Sequence, residues 1–268
     1  MKKFLCIISA LSRIILISIF LSVISCEDIL KLNITGDGNI ITDSLRLRNN
    51  FNIKELELTD NFILEIYHSE KPALYVEADS NLMSYIKTDF LRNKLTIRRQ
   101  SDHNLKPSRK IIIRLFTDNL SSIDIWNRGA VICDTLITNT LSINIYGKSK
   151  FKCKNILVDN LLVKAESGAI ADISGDFTFL DFAQTGSGET YLGGSVETLK
   201  LKQEGSGKIE ALDLEANVAF VSIINSGLIY CNVSTFLDVV INGTGRVYYK
   251  GNPEINESIT GTGIVSAL

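Results

Sequence analysis

QTGSGETYLGG, residues 184–194, is a glycine-rich loop set between apolar, alternating segments. Two readings compete for it. A phosphate cradle needs a strand, the loop and then a helix, and an NTPase adds Lys and Ser or Thr after the second glycine block. Here Glu189-Thr190-Tyr191-Leu192 follows, which is a strand pattern. The other reading is a tight structural corner. A corner that serves the architecture should recur, whereas a binding loop is usually unique.

It recurs. Small three-residue turns end at Gly129, Ser149, Gly168, Gly188, Gly207, Gly227, Gly245 and Gly263. The steps between them are 20, 19, 20, 19, 20, 18 and 18 residues. A period near 20 is the signature of a solenoid. The flanking phases agree. Val131, Phe151, Ile170, Thr190, Ile209, Ile229, Val247 and Val265 lie two residues after the turns. Cys133, Cys153, Asp172, Leu192, Ala211, Cys231, Tyr249 and Ala267 lie four after them. Alternating sets such as Leu141, Ile143, Ile145 and Leu237, Val239, Ile241 precede them. Period-two alternation is that of a β-strand with one face in and one out. The expected fold is therefore all-β, a parallel β-helix with rungs of about 18–20 residues. Corner glycines supply φ > 0 or close backbone approach. The structural-turn set is Gly129, Gly168, Gly186, Gly188, Gly205, Gly207, Gly227, Gly243, Gly245, Gly261 and Gly263.

Only Gly36 and Gly38 precede Gly129; the other 16 of the 18 glycines begin there. Residues 45–125 instead carry strand-like runs: ELEL (55–58), FILEIY (62–67), ALYVEA (73–78), LTIRR (95–99) and IIIRLF (111–116). NLMSYIKTDFL (81–91) is expected to add a helical turn. This glycine-free half is expected to cap the β-helix or extend it with degenerate rungs. At the other end the last turn leaves an open edge, and an exposed edge invites pairing. A homo-oligomer through that end is the expected outcome of such pairing.

The chain opens MKKFLCIISALSRIILISIFLSVISC. Lys2, Lys3 and Arg13 form a basic leader, and Ile14 to Ile24 is an apolar run of 11 residues. That length suits a signal peptide and is short for a membrane span. Val23-Ile24-Ser25-Cys26 resembles a bacterial lipobox. It implies cleavage before Cys26, lipidation of Cys26 and attachment to a membrane through that lipid, facing the periplasm or the exterior. The organisation is then a signal peptide (1–25), an anchor and short linker (26–44), and a β-helix domain (45–266), divided into a strand-rich half (45–125) and regular repeats (126–266). Without residues 1–25 the chain keeps 25 basic and 30 acidic residues, a net charge of −5. A mildly acidic exported chain is a poor nucleic-acid binder.

The N-terminal pattern FNIKELELTDNFILEIYHSEKPALYVEADSNLMSYIKTDFLRNKLTIRR, the repeated GSG turns and the ending GTGRVYYKGNPEINESITGTGIV together resemble the auto-transporter adhesin head GIN domain family of Bacteroidetes lipoproteins. The resemblance covers about residues 45–266. It implies a β-helical cell-envelope protein, and it carries no catalytic residues to transfer.

The residues add little chemistry of their own. A lyase or hydrolase on a β-helix needs acids at one phase on adjacent rungs. Glu166, Glu189, Glu204 and Glu210 lie at scattered phases instead. No CxxC occurs, and His68 and His103 lie far from the cysteines in sequence. No catalytic residue, metal or cofactor is expected. Cys133 and Cys153 should be neighbours, as a buried thiol ladder or a disulfide. Trp126 reads as a core or end-cap residue. Tyr248 should point outward and is the candidate contact residue for a protein or glycan ligand. The expected role is a non-catalytic adhesin or interaction scaffold; the alternative is a carbohydrate-binding or carbohydrate-active β-helix.

Overall fold

A computed structural model describes residues 32–45 and 52–268; the expected signal peptide and Cys26 lie outside them. The strands are β1 (Leu32–Thr35), β2 (Ile40–Leu45), β3 (Glu55–Leu58), β4 (Ile63–His68), β5 (Ala73–Asp79), β6 (Ile86–Leu91), β7 (Lys94–Arg99), β8 (His103–Lys106), β9 (Ile112–Thr117) and β10 (Ser122–Ile125). Long bent strands follow: β11 (Ala130–Ile145), β12 (Lys150–Ser167), β13 (Ile170–Gly186), β14 (Glu189–Gly205), β15 (Lys208–Asn225) and β16 (Leu228–Gly243). The last are β17 (Arg246–Lys250), β18 (Glu254–Gly261) and β19 (Ile264–Ala267). A 3-10 helix, Ser80–Tyr85, supplies the expected helical turn.

From β10 onward each coil pairs in parallel with the next, forming a β-solenoid of about seven turns. Each long strand bends twice, so one coil has three sides. In β12 the inward residues are Phe151 and Cys153, then Ile156 and Val158, then Leu161, Val163 and Ala165. The same columns continue through the stack as one apolar core.

The corner explains the glycine spacing. Register pairs Ser167 with Gly186, Gly186 with Gly205, Gly205 with Asn225, Asn225 with Gly243, and Gly243 with Gly261. With Asn127 and Gly147, all eight first-corner residues have positive φ, between 65° and 134°. The third corner position does not. There Gly188, Gly207 and Gly245 are needed for space: a Cβ would lie 2.7 Å from the Gly188 carbonyl oxygen at Gly207 and 2.4 Å from Ile223 Cγ2 at Gly245.

One rung departs from the expected alignment. Phe151 pairs with Ala171 and Cys153 with Ile173, so Ile170 and Asp172 are not the inward pair. The corner is Ser167-Gly168-Ala169, with Gly168 in the middle and Ser167 at φ 65°. Aligning the turn on its glycine shifts this rung by one residue. Asp172 consequently faces outward and pairs with Lys152.

The first half both extends and caps the stack. β3 lies between β10 and β7, and β4 between β11 and β9. The outermost coil is therefore β7–β9, although β3–β4 precede it in sequence. The chain makes the second coil, travels outward to make the first, and then crosses back. On that excursion β5 pairs antiparallel with β2 and β9, and β6 antiparallel with β7. At the opposite end Ile255, Ile259 and Ile264 are exposed. Glu257 stands there in register with buried Val239. A charge in an inward column disfavours the addition of another coil.

Asp79 ties β1 and β2 to the cap. Its carboxylate accepts bonds from Gly38 N (2.8 Å), Ser108 N (3.0 Å) and Ser108 Oγ (2.6 Å). Burial works to raise its pKa, but the bonds from Ser108 and Gly38 hold it below the ordinary carboxylate value. A carboxyl depressed in the folded state stabilises above its unfolded pKa, and that stabilisation is lost as pH falls through the folded value. Asp79→Asn is therefore expected to lower urea stability at pH 7, with the difference from wild type shrinking below about pH 4. A gap of constant size from pH 7 to pH 3 would contradict the ionised role.

Candidate functional surface

The second side of each coil faces a shallow groove that runs along the solenoid axis. Its volume is about 970 Å³. One outward column forms its spine: Ile137, Leu157, Asp176, Ser195, Glu215, Asn232 and Lys250 are successive register partners. At roughly 4.8 Å per coil, six steps span about 29 Å. Inward Val158, Phe177, Val196 and Ala216 close the floor. Asp159 and Glu197 line the next bend. The spine is apolar at one end, acidic and hydroxylic in the middle, and basic at Lys250. Ser195 Oγ donates to Asp176 Oδ1 at 2.7 Å, and Thr235 Oγ1 donates to Asn217 Oδ1 on the neighbouring coil. Such a surface offers different chemistry at each coil to an extended partner.

A second outward column lies on the first side. Asp172, Tyr191, Glu210, Tyr230, Tyr248 and Ser266 follow one another in register. Tyr248 is the register partner of Tyr230 in this column, and its ring stacks on Tyr230 at 5.3 Å and 23°. Lys208 Nζ lies 5.0 Å from the Tyr230 ring centroid and 2.6 Å from Glu210. Tyr191 is 44% exposed. It was legible as a member of this column: Tyr191, Tyr230 and Tyr248 each lie three residues after a corner glycine.

Three of the four acids singled out from sequence are occupied locally. Glu210 pairs with Lys208, Glu204 with Lys202, and Glu189 accepts from Tyr191 Oη at 3.2 Å. The groove acids Asp159, Asp176, Glu197 and Glu215 escape the sequence reading. Register shifts at Cys153/Ile156, Tyr191/Gly193 and Ala211/Glu215 break the phase between the tight corner and the first bend. Among the described residues no three His, Cys, Asp or Glu side chains group to hold a metal ion. Cys133 and Cys153 are register partners, and with Cys231 they are buried free thiols. Burial raises the Cys133 thiol and pushes Cys231 up to about 12, so neither is a ready nucleophile. Trp126 is partly exposed and stacks on Tyr146 at 3.9 Å, one coil above.

Residues 52–190 and 171–253 match the family described as "Putative auto-transporter adhesin, head GIN domain". The chain belongs to that family. Solved structures follow the same coil path. A putative lipid binding protein from Parabacteroides distasonis is 25% identical, with a TM-score of 0.76 over 88% of this chain and 99% of its own. A putative adhesin from the same species is 18% identical, with a TM-score of 0.81 over 88% and 100%. A putative adhesin from Bacteroides fragilis is 22% identical, with a TM-score of 0.66 over 87% and 98%. The two more distant likenesses concern the fold. No curated protein matches the chain. Membership in the head GIN family points to an adhesin-like role at the cell surface or envelope. No helix among the described residues is long and apolar enough to cross a membrane.

Proposed function

We propose that this head GIN protein is a lipid-anchored envelope scaffold that binds its partner without catalysis, through the axial groove. The observation that carries the proposal is the unbroken spine from Ile137 to Lys250. Seven coils contribute one outward side chain each, and their chemistry changes along the axis. That arrangement suits recognition of an extended partner by many modest contacts rather than one reactive centre. The lipobox-like Val23-Ile24-Ser25-Cys26 supplies the anchor in this reading. The aromatic column favours a second reading, in which Tyr191 and Tyr230 receive the apolar faces of sugar rings in a bound glycan.

Both parts are testable. Cys26→Ala is expected to abolish incorporation of labelled fatty acid and to move the protein out of the membrane fraction. Unchanged retention in that fraction would refute the anchor. Glu215→Lys in the groove is expected to weaken adhesion to the protein's target surface, while Tyr230→Ala leaves it intact. The opposite pattern, together with signals on a glycan array, would favour the sugar reading.

A further inference from the structure

A separate cavity of about 750 Å³ opens near the capped end of the solenoid. Arg99, Arg128 and Lys148 line it, with Asp60 as the one acid. Arg128 and Lys148 occupy the middle position of adjacent corners, where Lys148 N bonds to Asn127 O at 2.8 Å. They thus hold two like charges one coil apart, which is unfavourable without a counter-ion. Among the described residues neither side chain has an ion-pair or hydrogen-bond partner. Asp60 does not neutralise them. One of its oxygens accepts from Arg99 N at 2.8 Å, and the other lies 3.6 Å from Arg99 Nε. That Nε is buried and has no hydrogen-bond acceptor. Nη1 of the same guanidinium donates to Asn104 Oδ1 at 3.0 Å, which fixes the side chain's direction. Buried Phe62 and Ile111 form an apolar floor beneath these groups.

We propose that this cavity binds a phosphate group. Three cations against one engaged carboxylate leave a surplus of two positive charges. A phosphate monoester carries about −1.5 to −2 at pH 7, while a carboxylate carries only one charge. The two guanidinium forks and the single ammonium are the donors that phosphate oxygens take. The phosphate belongs either to a soluble ester or to a lipid headgroup. The fold bears on that choice. β1 pairs with β8, which contributes Asn104 and Leu105 to the cavity wall. Leu32 is the sixth residue after Cys26, a reach of at most about 21 Å. If Cys26 is lipidated, as in the proposed function, the cavity lies within reach of a headgroup layer. The phosphate site itself does not depend on that anchor.

Trp126 is the single tryptophan of the chain and lies two residues before Arg128, so its fluorescence reports on the site. The full chain in neutral detergent would be titrated with inorganic phosphate, with glycerol phosphate, and with micelles carrying phosphatidic acid or phosphatidylcholine. Calorimetry on the same samples covers a silent fluorophore. A saturable response to a phosphate monoester is expected, weakened at least about tenfold in Arg128→Glu/Lys148→Glu. Both side chains are exposed, so the double variant should melt with wild type; Arg128→Ala gives the same reading if it does not. A response to phosphatidic acid micelles well above that to glycerol phosphate identifies a headgroup site, and equal responses identify a soluble ester. Both support the proposal. Absence of a saturable response to every phosphate probe, or equal affinity in wild type and the charge variants, overturns it. Because glycerol phosphate needs no anchor, failure here is distinct from failure of the Cys26 experiment.

Discussion

Gly194→Val is expected to lower the melting temperature by roughly 10 °C, the largest effect of any single substitution considered. Two costs coincide at this residue. Its φ is +104°, a conformation that a β-branched side chain resists. An added Cβ would also lie 1.9 Å from the carbonyl oxygen of Gly175 on the preceding coil. Strain of this kind costs about 1–3 kcal/mol, and overpacking against a fixed backbone costs about 1–3 kcal/mol more. A total near 4 kcal/mol corresponds to about 10 °C in a chain of this size. The clash cannot relax locally, because Gly175 is itself packed on the coil before it: a Cβ there would lie 2.0 Å from Ile156 O. Gly38→Ala separates the two costs. Gly38 has φ +80° with nothing within 4 Å of a built Cβ, so only the strain applies, about 1–3 kcal/mol. Wild-type melting of Gly194→Val would mean that the first bend is not packed backbone on backbone.

Gly194 belongs to the same eleven-residue stretch as the tight corner, yet only the corner was legible. The corner repeats one geometric demand at nearly constant spacing, so Gly186, Gly205, Gly243 and Gly261 announce it. Where the demand is met without glycine the signal weakens. Asn127 and Asn225 meet it because asparagine is one of the few residues other than glycine that visit left-handed backbone routinely. Ser167 has no such tendency, and Gly168 beside it attracts the alignment by one residue. The first bend has no fixed distance from the corner, because the register shifts insert or remove residues between them. Gly193-Gly194 therefore stood outside the repeat, as did the groove acids Asp176 and Glu215. The first half failed differently. Its strands were readable one by one, because ELEL and its neighbours alternate. Their stacking order was not, because nothing local in β3 or β7 reveals that the later strand lies outside the earlier one.

Gln184→Leu is the second large effect, with an expected loss of about 3 kcal/mol. Gln184 and Thr190 bracket the GSG corner, and both are buried together with Gln203 on the next coil. Thr190 Oγ1 donates to Gln184 Oε1 at 2.6 Å. Gln184 Nε2 donates to Gly188 O at 2.9 Å and to Gln203 Oε1 at 2.8 Å. The amide thus closes its own corner and binds it to the neighbouring one. Leucine has nearly the same volume, so the substitution tests polarity rather than packing. It leaves the Thr190 hydroxyl and Gln203 Oε1 buried without these partners, at about 1–3 kcal/mol for each. Gly188 O keeps its bond from Lys208 N at 3.1 Å and adds little to the loss. If the cost comes from stranded groups, removing one of them should restore stability. Gln184→Leu/Thr190→Val is therefore expected to be more stable than Gln184→Leu alone by about 1 kcal/mol, although it lacks one more polar group. A double variant as unstable as the sum of its single substitutions would show that the two side chains act independently, and that the corner is held by its glycines and backbone ladder alone.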